Sequence, residues 1–409
     1  MYKYAHICIN FKTLMKKRLL FYEINKYISH KNSLIITGMR QVGKTTLMKQ
    51  VYDSINSKNK LWFDFDNPLD QKVFESIDFN NIYLNLEQMV KDKNKKIYVF
   101  IDEIQNYPMI TKVIKYFLDY YSVKFIVTGS SNFYLKNLFP ESLSGRKFLY
   151  YLPPLRFKEY LYFKDKLSLK EVMGSTLSSA LKQISIFKFK KYELDYDNYL
   201  KYGGFPEVVT TENKQTKKEI LKNIITSFFE KDLKILSDHK DVRELRDLML
   251  LLVPRVGSML DISKIASELG IRRMKIYQYL EFLQGAFMIK LLPKYSKSID
   301  RSIAGGKKVY FSDTGLLNTI GNVNDPQLLE NAVVNQLSYY GDLSFYNKRN
   351  TAEIDIILNK QIAFEVKLKG VESEYIRLKK LTLTLGLKKY YLISKTYINN
   401  RGYISASNL

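Results

Sequence analysis

The sequence predicts an α/β chain in four parts: a parallel sheet around a glycine loop, a helical region, a helix–turn–helix with a wing, and a small C-terminal α/β domain. Three observations predict it. The run Thr37-Gly38-Met39-Arg40-Gln41-Val42-Gly43-Lys44-Thr45-Thr46 lies between an apolar strand, Leu34–Ile36, and the helix-like Leu47–Tyr52. Two further apolar strands end in polar residues: Lys96–Ile101 before Asp102-Glu103, and Lys124–Gly129 before Ser130-Ser131-Asn132. Near the C-terminus, the short strands Glu353–Leu358 and Ile362–Leu368 carry Asp355, Glu365 and Lys367.

The glycine loop comes first. Gly38 and Gly43 let the backbone bend and approach a ligand without a Cβ in the way. Loop N–H groups and a helix N-terminus together favour phosphate. In this layout Lys44 reaches the β- and γ-phosphates and Thr45 reaches Mg²⁺. Arg40, Gln41, Val42 and Thr46 complete the loop. The expected ligands are therefore ATP or GTP with Mg²⁺.

The strand ending in Asp102-Glu103 places two acids where ligands bind open α/β sheets, at the carboxyl ends of strands. Asp102 is expected to hold Mg²⁺ and Glu103 to orient the attacking water. Ser130 and Ser131, after the next strand, either contact the γ-phosphate or the water, or cap the following segment. Arg146, after a glycine turn, is a further phosphate contact; acting in trans it would require a homo-oligomer.

From about Leu155 to Lys240 the chain reads as mainly helical, with a turn at Gly203-Gly204-Phe205-Pro206 and a charged stretch, 182–197, that fits a linker or a helix face. Asp261 reads as the N-cap of a helix whose Ile262, Ile265, Ala266 and Leu269 share one face, with Gly270 as its stop. A second helix turns Ile276, Leu280 and Leu283 inward, leaving Arg272, Arg273, Lys275 and Gln278 elsewhere. The strand Phe287–Leu292 follows. This is a helix–turn–helix with a wing. Its basic helix, helped by the basic stretch 294–308, suits a DNA groove; winged helices also serve as protein-packing modules.

In the C-terminal pair, a three-residue connection at Asn359-Lys360-Gln361 would pair Leu358 with Ile362 and set Asp355 across from Glu365. A two-residue turn would throw the acids onto opposite faces. Facing carboxylates repel, and a cation or a shifted pKa relieves them.

Composition narrows the partners. The chain has 409 residues, 46% hydrophobic and 14% aromatic, so it is globular. Its length alone suggests two or three domains. One cysteine, Cys8, excludes a disulfide framework and a cysteine metal site, and fits a reducing cytosol. No apolar run is long enough to span a membrane, and lysines interrupt the N-terminus, a poor signal peptide. The expectation is a cytoplasmic protein without a membrane partner. A net charge of +24 favours polyanions such as nucleic acid, although a bias towards Lys, Asn, Ile and Tyr produces the same surplus.

Together, Gly38–Thr46, Phe100–Gln105, Thr128–Ser131, Ser144–Arg146, Pro154–Phe157, Tyr202–Glu207, Phe311–Leu316 and the C-terminal acids resemble one group. It is the AAA-type P-loop ATPases of archaea and bacteria with a winged helix and a restriction-endonuclease-like C-terminal domain. The resemblance implies ATP binding and an architecture: 1–153 P-loop ATPase core, 154–240 helical lid, 241–312 winged helix, 313–409 endonuclease-like domain. Asp355 and Glu365-x-Lys367 resemble the nuclease core of restriction enzymes, in which the carboxylates hold Mg²⁺ and the lysine orients the nucleophile. Glu330, on an upstream helix, fits the position of a further catalytic glutamate. The implied function is ATP-hydrolysing DNA processing with Mg²⁺-dependent cleavage. The alternatives are an ATP-dependent DNA-binding switch with a non-catalytic nuclease fold, and an ATP-gated protein-interaction module.

Overall fold

A computed structural model describes residues 15–93, 95–130, 145–232, 239–298, 300, 305–348 and 351–409. Cys8, Ser131, Asn132 and Ser144 lie outside the described residues.

Five strands form the first sheet: β1 (Ser33–Thr37), β2 (Lys60–Asp64), β3 (Ile97–Asp102), β4 (Val123–Gly129) and β5 (Lys147–Tyr151). All pair in parallel, in the order β2-β3-β4-β1-β5. Every residue of β1 and β4 is buried, as expected for central strands covered on both faces. Alternate residues feed two cores. Leu34, Ile36, Phe100 and Ile126 pack with Leu47 and Met48 of the Lys44–Ser54 helix; Ile35, Val99, Ile101, Phe125 and Val127 pack with the Ile110–Tyr120 helix. The edge strands β2 and β5 are only half-buried, so they lack the continuous apolar run that marks β1, β3 and β4.

From Ile186 onward the stretch 182–197 is a helix face: Ile186–Tyr202 forms one helix that buries Phe189, Tyr192, Tyr196, Tyr199 and Tyr202. A tight joint holds this helix to the later chain. Asp313 caps the Thr314–Ile320 helix through Leu316 N–H (3.0 Å) and also accepts Gly204 N–H (2.7 Å). The Leu155 N–H donates to Gly204 O at 2.7 Å, and a Cβ on Gly204 would stand 2.2 Å from Leu155 O. Only glycine allows that approach.

Asp261 does cap the Ile262–Leu269 helix, accepting Lys264 N–H at 2.9 Å, and Gly270 ends it at φ +63°. The Arg273–Gly285 helix buries Ile276, Leu280 and Leu283 with Tyr279 and Phe282. The antiparallel strands β6 (Ile289–Pro293) and β7 (Lys307–Phe311) follow.

The C-terminal sheet has the order β12-β11-β10-β9-β8, from β8 (Leu343–Lys348), β9 (Ala352–Leu358), β10 (Ile362–Lys367), β11 (Lys389–Ser394) and β12 (Tyr403–Ser405). Strands β8, β9 and β10 are antiparallel neighbours, while β11 and β12 run parallel to β10. Leu358 pairs with Ile362, as the three-residue connection requires. The alternation expected along β9 fails at one point. Opposite β8, Ser344 pairs with Ile357 but Tyr346 with Ile354, so β9 carries one extra residue. That bulge moves Ile354 into the same small core as Ile357, while Ile356 and Leu358 join the main core. The backbone pairing with β10 ends at Ile356–Phe364, one pair short of Asp355–Glu365.

Candidate functional site

The glycine loop connects β1 to the Lys44–Ser54 helix. Gly38 takes φ +154°, and a Cβ there would stand 2.3 Å from Leu152 O. Gly43, the helix N-cap, takes φ +94°, and Gln41 a φ of +60°. The Lys44 ammonium is drawn back on the loop, donating to Gly38 O (3.1 Å) and Met39 O (2.9 Å). The loop opens into a cavity of about 860 Å³. Arg40, Gln41, Val42, Gly43, Lys44, Thr45, Thr46 and Glu103 line it, with Phe163, Pro206, Glu207 and Lys231 contributed by the helical region. That volume admits a nucleotide.

Strand β4 separates β1 from β3, and it organises the acids. Thr128 donates to Asp102 Oδ1 and accepts the Glu103 N–H at 3.2 Å. Glu103 sits in the left-handed region (φ +52°, ψ 51°), a strained geometry for a non-glycine residue. Gln105 Nε2 donates to both Glu103 Oε2 and Ser130 Oγ (3.2 Å). Ser130 therefore enters the acid network through Gln105. The sequence offered no sign of the Thr128 and Gln105 roles, because both depend on which strands are neighbours.

Arg146 does not join the loop. It precedes β5, and its carbonyl accepts the N–H of Ser33 at the start of β1. Its guanidinium pairs with Asp119 at 2.7 Å. Parallel strands put their starts at the opposite end of the sheet from the loop, roughly 15 Å away over five residues. The expected phosphate contact is thus not made within one chain.

A second polar cluster lies in the C-terminal sheet. The bulge re-aims Asp355, whose Oδ2 accepts the Val366 N–H at 2.8 Å. Lys367 Nζ lies 3.0 Å from Glu365 Oε1 and 3.8 Å from Asp355 Oδ2. Arg377, on the Glu372–Leu385 helix, pairs with Glu365 at 2.5 Å. Glu330 arrives from the Asp325–Leu337 helix, because neighbouring Asn331 exchanges two hydrogen bonds with Phe311 of β7 (2.7 and 2.9 Å). Tyr310 of β7 donates to Glu330 at 2.6 Å. Burial, and then the Asp355 carboxylate, push the Glu330 and Glu365 carboxyls up from their ordinary range. Burial works against the Lys367 ammonium, but Asp355 and Glu365 outweigh it and raise its pKa.

The basic stretch 294–308 ends differently from expectation. Lys308 is buried, not presented to a groove: its ammonium lies 2.6 Å from Glu353 and 3.7 Å from Glu330. Lys275 is likewise committed, 2.6 Å from both Asp241 and Glu244, while Arg272, Arg273 and Gln278 stay exposed. Among the described residues, no group of three or more His, Cys, Asp or Glu is arranged to hold a metal ion.

The parallel sheet, its glycine loop and Asp102 at the end of β3 make a P-loop ATPase fold. Residues 30–161 match the family model of an AAA domain, and residues 193–327 match a domain of unknown function. An uncharacterized protein of Haemophilus influenzae is 28% identical over 383 residues, covering 89% of each chain. An uncharacterized protein of Methanocaldococcus jannaschii is 28% identical over 390 residues, covering 90% of this chain and 82% of the relative. Among solved structures, a Walker-type ATPase of Pyrococcus abyssi matches at 13% identity and a TM-score of 0.44, covering 73% of this chain and 94% of its own. The Aeropyrum pernix ORC1 protein in complex with DNA matches at 10% identity and a TM-score of 0.31, covering 73% and 90%. Among the described residues, no helix is long and apolar enough to cross a membrane.

Proposed function

We propose that this chain binds and hydrolyses ATP at the Gly38–Thr46 loop and engages DNA through a winged helix and a C-terminal nuclease-like domain. The observation that supports ATP turnover is the convergence of Lys44, Thr45 and Glu103 on one cavity, with Asp102 held beside them by Thr128. Lys44 exchanges its two loop carbonyls for the β- and γ-phosphates. Thr45 and Asp102 offer a hydroxyl and a carboxylate, a donor set that fits Mg²⁺. Glu103, steadied by Gln105, orients the water. Glu103→Gln is expected to keep nucleotide binding and lose turnover; retained turnover refutes the assignment.

For the C-terminal domain, the supporting observation is that Lys367 lies beside both Glu365 and Asp355, and that the Asp355 charge acts on both Glu330 and Glu365. Asp355 and Glu365 would hold Mg²⁺, which when bound polarises a phosphate and acidifies a water. Lys367 is placed to orient that water. The four-part division read from the sequence belongs to the same proposal. A specific feature favours the second reading, a DNA-binding switch: the Lys308 ammonium already neutralises the Glu330 side of the cluster. Plasmid and single-stranded DNA, incubated with Mg²⁺ with and without ATP, distinguish the two. Cleavage that Asp355→Ala abolishes supports the nuclease; salt-sensitive binding without cleavage supports the switch.

A further inference from the structure

A second cavity, of about 310 Å³, lies where the end of β5, the helical region and the Asp325–Leu337 helix meet. Arg18 lines both this cavity and the nucleotide cavity, and it also binds Val42 O (3.1 Å) and Pro153 O (2.8 Å).

The cavity wall carries three cations, Arg18, Arg156 and Lys290, and three acids, Glu23, Glu159 and Asp313, but the two sets are not matched pair by pair. Arg156 is 8% exposed, and its guanidinium lies 3.4 Å from the centre of the Tyr339 ring. Among the described residues it makes no side-chain hydrogen bond and no ion pair. Lys290 donates to Ser338 Oγ at 3.1 Å and has no carboxylate partner among the described residues. Burial pushes the Lys290 ammonium down to about 8. Lys158, bonded to the wall residue Ser175 at 2.8 Å, is pushed down to about 8 by burial and then by Lys188 and Arg156. Of the acids, Glu159 pairs with Arg18 (3.2 Å), and although burial works against its charge, Arg18 and then Arg156 hold its carboxyl low; Asp313 accepts Gly204 N–H, and Glu23 pairs with Lys26. Asn335 Oδ1 is buried without a partner among the described residues, so an acceptor also awaits a donor.

A buried cation with no direct ion pair of its own is costly unless something anionic joins it. A guanidinium fork fits a phosphate in bidentate fashion, an ammonium adds a point charge, and the amide oxygen accepts a hydroxyl. We infer that this cavity binds a small hydroxylated phosphate monoester, its phosphate held by Arg156 and Lys290 and a hydroxyl by Asn335. The inference does not depend on nucleotide hydrolysis at the loop. Because Arg18 touches both cavities, the occupant is positioned to influence the glycine loop.

The test uses full-length Lys44→Ala protein, so that phosphate at the glycine loop does not obscure the reading. Ribose 5-phosphate, the probe, is expected to raise its melting temperature saturably. Adding Arg156→Gln is expected to remove the response, and adding Lys290→Met to weaken the apparent affinity at least about tenfold, with circular dichroism confirming the fold. If the Arg156 variant does not fold, the Lys290 variant decides. No saturable response in Lys44→Ala protein, or a response undiminished in the folded variants, overturns the inference.

Discussion

Lys308→Met is the sharpest perturbation of the C-terminal cluster. Methionine keeps most of the buried stem and removes only the ammonium. The side chain is 3% exposed, and its charge faces Glu353 at 2.6 Å and Glu330 at 3.7 Å. Removing one partner of a buried pair leaves the other uncompensated, at a cost of about 3–5 kcal/mol. Glu353 is 41% exposed and partly solvated, so the lower end, about 3 kcal/mol, applies here. Trp62 is the sole tryptophan and stacks on Phe100 in the parallel sheet, so its fluorescence reports the wrong region. Hydrogen exchange followed by peptide reads the right one. At 1.4 kcal/mol per decade, amides of β9, β10 and the Asp325–Leu337 helix are expected to exchange about a hundredfold faster in the variant. Those of β1 and β4 are expected to stay unchanged.

Mg²⁺ sharpens the test. A divalent ion binding at one hundred times its Kd adds about 2.7 kcal/mol. It is expected to slow exchange around Asp355 and Glu365 more in the variant than in the native protein, where the Lys308 ammonium already stabilises the Asp355 charge and so competes with the ion. Unchanged exchange in the variant would show that Lys308 does not hold the cluster together. Equal Mg²⁺ protection in both proteins would refute the competition.

Three more perturbations address the rest of the molecule. Gly204→Ala would drive a Cβ to 2.2 Å from Leu155 O; the joint must open, and heat denaturation is expected to move down by several degrees. Burial raises the Asp313 carboxyl to about 6, above about 3.9 for an unfolded aspartate, so its neutral form is favoured in the fold. That contribution is complete below about pH 4 and lost as pH rises through about 6; relative to Asp313→Asn, native stability in urea is expected to fall by about 2–3 kcal/mol across that window. Gln105→Ala removes the donor shared by Glu103 and Ser130, and ATP turnover is expected to drop about tenfold or more with nucleotide affinity little changed; equal losses in both would refute an orienting role.

What was legible in the chain followed contiguous pattern. The glycine loop, β1, β3 and β4, the Asp261 cap and the Leu358–Ile362 register each rest on a few adjacent residues. The edge strands β2 and β5 were hidden, because half-burial leaves a mixed pattern no short window resolves. The bulge in β9 was hidden for a sharper reason. A period of two assumes an uninterrupted strand, and one inserted residue reverses the parity of everything before it. Reading Asp355 and Glu365 as a facing pair came close only because the bulge then points Asp355 back at β10, onto the Val366 N–H.

Charge was the least legible property of all. A run of lysines reads as a surface, yet Lys308 is buried among acids contributed by residues 330 and 353, and Lys275 is tied to residues 241 and 244. Sequence counts charges but does not say which ones folding has already neutralised. This bears directly on how the protein would meet DNA. Of Arg272, Arg273, Lys275 and Gln278, the residues read as facing away from the core, all but Lys275 stay exposed, so a phosphate-contact role falls on the two arginines. Each phosphate contact adds about 0.9 to the slope of log affinity against log salt. Arg272→Ala with Arg273→Ala is therefore expected to lower that slope by about 2, while Lys275→Ala leaves it unchanged. An equal effect from Lys275 would mean that the ion pairs with Asp241 and Glu244 open when DNA arrives.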